Sequence, residues 1–311
     1  MRHQPFSIAI HGGINAVWKI EQNKQHKQMI LNALEMAARA GHQVLIKGGN
    51  ATEAVAQAVK IFEDYPHFNA GKGAVLTFNE MIELEAAIID GKQRDSGAVA
   101  CVRHVKNPIL LALDVMKHKP NELLVGEGAE RFACYQGHQY IEQDYFFTDH
   151  RYEQLMSIKE SRPLEVAYFD GYNLGNVGAI ALDQHGSLAA ATSGGGAANK
   201  LCGQVSDTVI IGRSIAAENG IAAVSFVGGD VGFFGQGMAG EVIARMKYLS
   251  EDLQAACTRV IDENLLLDED KVGLTAIDDK GNVHFCNKSL AMFRAAINVQ
   301  GELSLAVEAA R

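Results

Sequence analysis

Residues 175–194 read Gly-Asn-Val-Gly-Ala-Ile-Ala-Leu-Asp-Gln-His-Gly-Ser-Leu-Ala-Ala-Ala-Thr-Ser-Gly. Two runs of small and apolar residues, 177–182 and 187–192, flank Asp183-Gln184-His185-Gly186, a four-residue turn that ends in Gly. That pattern predicts a β-hairpin. It returns near the C-terminus, where residues 273–285 read Gly-Leu-Thr-Ala-Ile-Asp-Asp-Lys-Gly-Asn-Val-His-Phe. Helices are expected between the two hairpins, over 237–249 and 252–265. Small residues in strands suit sheets pressed face to face. The fold class that follows is α/β: stacked antiparallel sheets covered by helices, a four-layer α/β/β/α sandwich.

The N-terminal half reads as strand, helix, helix, strand, strand. Residues 7–11 form an apolar strand that is expected to end at Gly12-Gly13. Ile30, Leu34, Ala37 and Ala38 recur at helical spacing within 24–40, and Gly41 is expected to stop that helix. Asn50 followed by Glu53 predicts a capping box that opens a helix carrying Val55, Val59 and Phe62. Residues 84–89 and 98–102 are expected to pair as strands around a turn near Gly91. Pro108 is placed early in a helix ahead of Leu110, Leu113 and Met116. The boundary between the halves is expected at 160–175. Leu164, Val166, Tyr168, Phe169 and Tyr172 make that segment stickier than a solvated linker.

At 311 residues the chain is long for one core but within reach of a single α/β domain. The formal net charge of −9 offers nothing to a polyanion, so neither nucleic acid nor an anionic membrane is an expected partner. Cys101, Cys134, Cys202, Cys257 and Cys286 are odd in number, far apart and without a CxxC pair. Reduced thiols in a cytoplasmic protein are expected rather than disulfides or zinc. The apolar run near the N-terminus is too short for a signal peptide, and no stretch approaches the ~20 apolar residues of a membrane span. The histidines are scattered and none sit at metal-ligand spacing, so no metal is expected. Gly194-Gly195-Gly196 lacks the following Lys-Ser/Thr of a phosphate cradle, so no cofactor is expected either.

Nine segments, in this order and spacing, resemble the threonine-dependent N-terminal-nucleophile hydrolases of the isoaspartyl-peptidase and plant-type asparaginase family. They are Ile8-Ala-Ile-His-Gly-Gly, Phe68-Asn-Ala-Gly-Lys-Gly-Ala, Leu84-Glu-Ala-Ala-Ile-Ile-Asp-Gly, Gly97-Ala-Val-Ala, Asn107-Pro, Val125-Gly-Glu-Gly-Ala-Glu, Arg151-Tyr-Glu-Gln-Leu, Gly175-Asn-Val-Gly-Ala-Ile-Ala-Leu-Asp and Ala190-Ala-Thr-Ser-Gly-Gly-Gly. The resemblance implies one asparaginase-like domain over 1–311. Residues 1–159 would match the family's α subunit, 160–175 its linker and 176–311 its β subunit. It also implies a homodimer with a small amino-acid or dipeptide-like ligand. In that family a Gly-Thr bond is cut by the protein itself, and the freed Thr serves as nucleophile with its own α-amine as base.

Here the Thr position is held by Asn176. An amide nitrogen has no usable lone pair, so neither self-cleavage nor attack on substrate has a route. Three supporting positions differ as well. The family's second Thr corresponds to Gly194, the Arg that clamps the substrate carboxylate to Gln204, and a Thr of the oxyanion hole to Val227. Asp207, which resemblance assigns to the substrate's amine, is retained. So are Gly228, whose backbone N–H could donate, and Asn69 beside the site. Four changes at separate positions fit drift after catalysis stopped mattering. The alternative is an active asparaginase or β-aspartyl peptidase that uses a rearranged nucleophile, for which Thr192, Ser193 and Thr208 are the nearby hydroxyls. Blander roles exist for single residues. Asn176 could be a strand-end polar residue bonded to neighbouring backbone, Asp207 a helix cap, and His11 structural.

Overall fold

The computed structural model describes residues 5–15, 24–161, 175–228, 236–264, 272–287 and 291–307. Most of the expected boundary segment, residues 162–174, lies outside them. Strands β1 (Ser7–Asn15), β2 (Leu84–Asp90), β3 (Ser96–Val102), β4 (Leu123–Val125), β5 (Val177–Leu182) and β6 (Leu188–Gly194) join β11 (Ala291–Ile297) and β12 (Leu303–Ala306) in one sheet. Its order is β12-β11-β1-β5-β6-β2-β3-β4, antiparallel throughout except for the β3–β4 pair. A second, antiparallel sheet holds β7 (Ile215–Glu218), β8 (Ala222–Gly228), β9 (Val272–Asp278) and β10 (Val283–Asn287) in the order β10-β9-β8-β7.

Three layers of core explain the stack. Helices α1 (Lys24–Ile46), α2 (Ala51–Glu63) and α3 (Pro108–Lys117) bury Ile30, Leu34, Val59 and Leu111 against Val177, Ala179 and Ala191 of the large sheet. Ile180, Leu188 and Ala190, on the opposite face of the same strands, meet Ile215, Ala223 and Ile277 of the small sheet. Helices α6 (Met238–Leu249) and α7 (Leu253–Asn264) cover the far side of that sheet through Val242, Cys257 and Val260. The chain is therefore the four-layer α/β/β/α sandwich that its hairpins predict, with a buried, largely apolar sheet–sheet interface at its centre.

Both hairpins form at the expected positions, as do the strand pair around Gly91 and the helix that begins with Pro108. Asn50 caps α2 by accepting from the Glu53 N–H at 2.8 Å. Two expected element ends are wrong, and both errors have tertiary causes. The helix does not stop at Gly41 but runs on to Ile46, ahead of Gly48 at φ +79°. Gly41 is a contact point: a Cβ there would lie 2.2 Å from Ile8 Cδ1 and 2.7 Å from the Ala54 carbonyl oxygen. Strand β1 does not end at Gly12-Gly13 but passes through them with a register shift between His11 and Ile14. Helices α4 (Gly126–Tyr135) and α5 (Asp149–Ser161) were not anticipated. Among the described residues no helix is long and apolar enough to cross a membrane, no group of side chains could hold a metal, and all five cysteines are unpaired.

Candidate active site

Strand parity decides what surrounds residue 176. Side chains alternate along a strand. Val177, Ala179 and Ala181 belong to the helix-side core and Ile180 and Leu182 to the sheet–sheet core. Asn176, just ahead of β5, therefore shares the side that faces the small sheet. Across the pair, Gly178 sits opposite Thr192 and Val177 opposite Ser193, so Thr192 and Gly194 share that face while Ser193 looks the other way. The hydrogen bonds agree. Asn176 Nδ2 donates to Thr192 Oγ1 at 2.9 Å, and Thr192 Oγ1 donates to the Val177 carbonyl at 2.9 Å. Ser193 Oγ instead donates to Glu63 Oε1 at 2.8 Å, under the helices. Asn176 is 7% exposed, and its Oδ1 has no hydrogen-bond partner among the described residues. Its amide is thus held by a side chain, not by neighbouring backbone.

Gly194, Val227 and Gly228 close around the same point. A Cβ on Gly194 would lie 3.3 Å from Asn176 Cβ and 3.1 Å from Thr208 Oγ1. Gly175 has φ +65°, and a Cβ there would stand 2.9 Å from Val227 Cγ2 and 3.4 Å from the Gly228 nitrogen. The left-handed backbone and the Val227 methyl together require glycine before Asn176. The end of β8 is thereby seated against the Gly175-Asn176 bond.

The remaining site residues sit on the segment that follows β6. Gln204 is partly exposed and its Oε1 accepts from the Leu201 N–H of its own loop at 3.4 Å. Asp207 opens a 3-10 turn (Asp207–Val209), but the cap is Ser206, whose Oγ accepts from the Thr208 N–H at 3.2 Å. Asp207 Oδ2 instead lies 3.2 Å from an Arg213 Nη, both side chains being buried. The other Nη of Arg213 is 3.2 Å from Met238 Sδ. Ser206 ties the segment to the large sheet, donating from N at 3.0 Å and from Oγ at 2.7 Å to Glu85 Oε2. Lys200 Nζ neutralises Glu85 from 3.0 Å. Asn69 acts as a fastener: its Nδ2 donates to the Gly196 carbonyl at 2.9 Å and its Oδ1 accepts from the Val75 N–H at 3.0 Å.

His11 lies beneath the site. Its Nε2 is 2.8 Å from Ser225 Oγ, and a Cβ on Gly178 would be 2.3 Å from either atom. Burial pushes its pKa down to about 3, outweighing a hydrogen bond from the imidazole to the Asn176 backbone, which acts the other way. The imidazole is neutral and packed between the sheets.

The structure thus gathers Asn176, Thr192, Gly194, Thr208, Val227 and Gly228 at one point, and places Gln204 and Asp207 on the adjoining loop. Sequence reasoning missed Arg213 and the Glu85–Lys200 pair. The signal for Arg213 was available. It is the sole charge in Thr-Val-Ile-Ile-Gly-Arg-Ser-Ile-Ala-Ala, residues 208–217, and an isolated charge in a buried apolar run needs a partner.

Residues 3–306 match the protein family described as Asparaginase. The chain is 39% identical to the isoaspartyl peptidase of Escherichia coli (strain K12), covering 93% of this chain and 91% of that protein. It is 39% identical to the isoaspartyl peptidase of Salmonella typhimurium, over 93% and 94% respectively. It is 38% identical to the isoaspartyl peptidase/L-asparaginase of Homo sapiens, over 72% and 71%.

Proposed function

The chain belongs to the asparaginase family, and from that premise we propose that it keeps the family's sandwich without its chemistry. It remains one uncleaved polypeptide and does not hydrolyse Asn or isoaspartyl dipeptides at a useful rate. The observation that carries this is Asn176, which presents an amide fixed on Thr192 Oγ1 where a hydroxyl would be needed. Loss of a catalytic nucleophile costs on the order of 10⁶ in turnover. The nearby hydroxyls do not replace it. Thr192 gives its proton to the Val177 carbonyl and Ser193 gives its own to Glu63 on the wrong face. Ser206 Oγ donates to Glu85 and lies 2.9 Å from Thr208 Oγ1, so the Thr208 hydroxyl is drawn towards Ser206. None of the three carries a free α-amine to serve as base.

In this reading the chain is a cytoplasmic homodimer whose role is binding rather than turnover, with 1–159 and 176–311 as the two covalently joined parts. Five unpaired thiols support the compartment, and the resemblance supports the dimer. Denaturing mass spectrometry tests the central claim. An intact chain near 33.6 kDa is expected, and two fragments cut before residue 176 would overturn it.

A further inference from the structure

Asp207 and Arg213 form a buried ion pair beside the site, with side chains 8% and 1% exposed. A tight turn of the chain makes the pair. The Ile210 N–H donates to the Asp207 carbonyl, the Arg213 and Ser214 N–H groups both donate to the Ile210 carbonyl, and Ser214 Oγ returns to the Asp207 carbonyl at 2.6 Å. The carboxylate is therefore rigidly placed, and the guanidinium is delivered to it by a segment fixed at both ends.

We propose that Arg213 is the resident occupant of the amine subsite. Its guanidinium stands against Asp207 where a ligand's ammonium would otherwise stand, so the chain's own side chain closes the site to amino-acid ligands. This rests on the proposed function and on the assignment of Asp207 to a ligand amine that the family resemblance implies, and it names what that carboxylate now holds. Three considerations lead here. A guanidinium is more weakly hydrated than an ammonium and tolerates burial better, so Arg213 loses less on entering than a free amine does. Arg213 is tethered six residues from Asp207, and a free ligand must in addition give up translational freedom. Finally, with Gln204 and Asn176 both neutral and Asp207 already compensated, no net charge is left at these positions for either end of a zwitterion. The positive charge missing at residue 204 is found at 213, turned towards the protein's own carboxylate.

The test uses the full-length chain with 3-aminopropanamide, which carries an ammonium and a primary amide without a carboxylate. Propanamide, which lacks the amine, is the control. Calorimetry and thermal shift are run on the wild type, Arg213→Met, Arg213→Ala and the double variant Asp207→Asn/Arg213→Met. The wild type is expected to show no saturable binding below about 10 mM. Either folded single variant should bind 3-aminopropanamide at least about tenfold more tightly than the wild type, and the double variant should lose that gain. Methylguanidinium at millimolar concentration should raise the melting temperature of Arg213→Ala and leave the wild type unchanged. Asp207-dependent binding of 3-aminopropanamide to the wild type would overturn the proposal whether or not the variants fold. So would folded single variants that gain nothing. Intact mass on the same samples separates the two claims: fragments from the wild type sink the uncleaved reading, while the binding comparison stands or falls on its own.

Discussion

Replacing Asn176 by Thr returns the missing hydroxyl and should still leave a poor enzyme. The deficit can be worked from what stands around residue 176. Val227 offers a methyl 2.9 Å from the Cβ position of Gly175, where the resemblance implies a hydroxyl. Removing one oxyanion-hole donor costs about 2.7–4 kcal/mol. Gln204 can give a neutral amide to a carboxylate in place of a charged fork, a further loss of about 1.5–3 kcal/mol. Together these come to about 4–7 kcal/mol, or on the order of 10³–10⁵ in kcat/KM. The two terms act on one substrate and need not add fully. The assay is ammonia release from Asn, and amino-acid release from β-aspartyl dipeptides, by Asn176→Thr alone and with Gln204→Arg and Val227→Thr. The single variant is expected to fall at least about a thousandfold below ordinary family members, and the triple variant to recover part of the gap. A single variant within tenfold of those members would show that positions 204 and 227 carry little of the transition-state binding.

Three other expectations concern stability. Glu63 is fully buried, accepts from Ser193 Oγ and the Ile109 N–H, and has its pKa pushed by burial from 4.5 up to about 8. Between those values the folded state keeps a proton that the unfolded state has released, so stability falls as pH rises, by at most about 1.4 kcal/mol per pH unit. Glu63→Gln should therefore gain on the wild type in urea midpoint between pH 5 and pH 8, and a gap that does not change with pH would refute this. Lys200→Met strands the buried Glu85 carboxylate with Ser206 alone and should cost about 3–5 kcal/mol in urea unfolding; a loss under about 1 kcal/mol would mean that Ser206 suffices. Gly178→Ala drives a methyl to 2.3 Å from His11 Nε2 and Ser225 Oγ, and should cost about 1–3 kcal/mol, read as a lowered melting temperature. An unchanged melting temperature would show that the sheet–sheet interface can part there.

What the sequence disclosed was the part of the fold with local causes. The 183–186 turn, the Asn50 cap and the Pro108 helix start each depend on neighbours within a few residues. Gly41 has a C-terminal stop's identity and a contact residue's function, and only Ile8 and Ala54, distant in sequence, distinguish the two. Helix α5 was hidden for another reason. Its buried positions 151, 154, 155 and 158 keep helical spacing, but two of them are Arg151 and Gln154, bonded to each other at 2.9 Å. A period of 3.6 written partly in polar residues is invisible to a hydrophobic count. Residues 176, 194, 204 and 227 drew notice through resemblance alone, which implies that each departs from the family pattern. Arg213 matched no pattern and gains its meaning from the chain turning back on Asp207.

The polar groups at this site share one property, which bears on why the chemistry would be hard to restore. A working hydrolase holds donors and acceptors aimed at atoms that arrive with the substrate, at some cost to its own stability. Here the groups are directed at one another. Thr192 serves Asn176 and Val177, Ser206 serves Glu85 and Thr208, Asp207 faces Arg213, and Asn69 joins Gly196 to Val75. Asn176 Oδ1 is an acceptor with no hydrogen-bond partner among the described residues, at the position where the nucleophile would be. Each internal contact gives stability and removes a group from the substrate's reach, so the same network that strengthens the fold opposes turnover. Restoring a Thr at residue 194 makes the conflict concrete. Its Cβ alone would stand 3.1 Å from Thr208 Oγ1 and 3.3 Å from Asn176 Cβ, so both neighbours must give by a few tenths of an ångström to admit the side chain. On the proposed reading, reactivation would require releasing internal contacts at several positions together, and a single exchange at residue 176 releases only one.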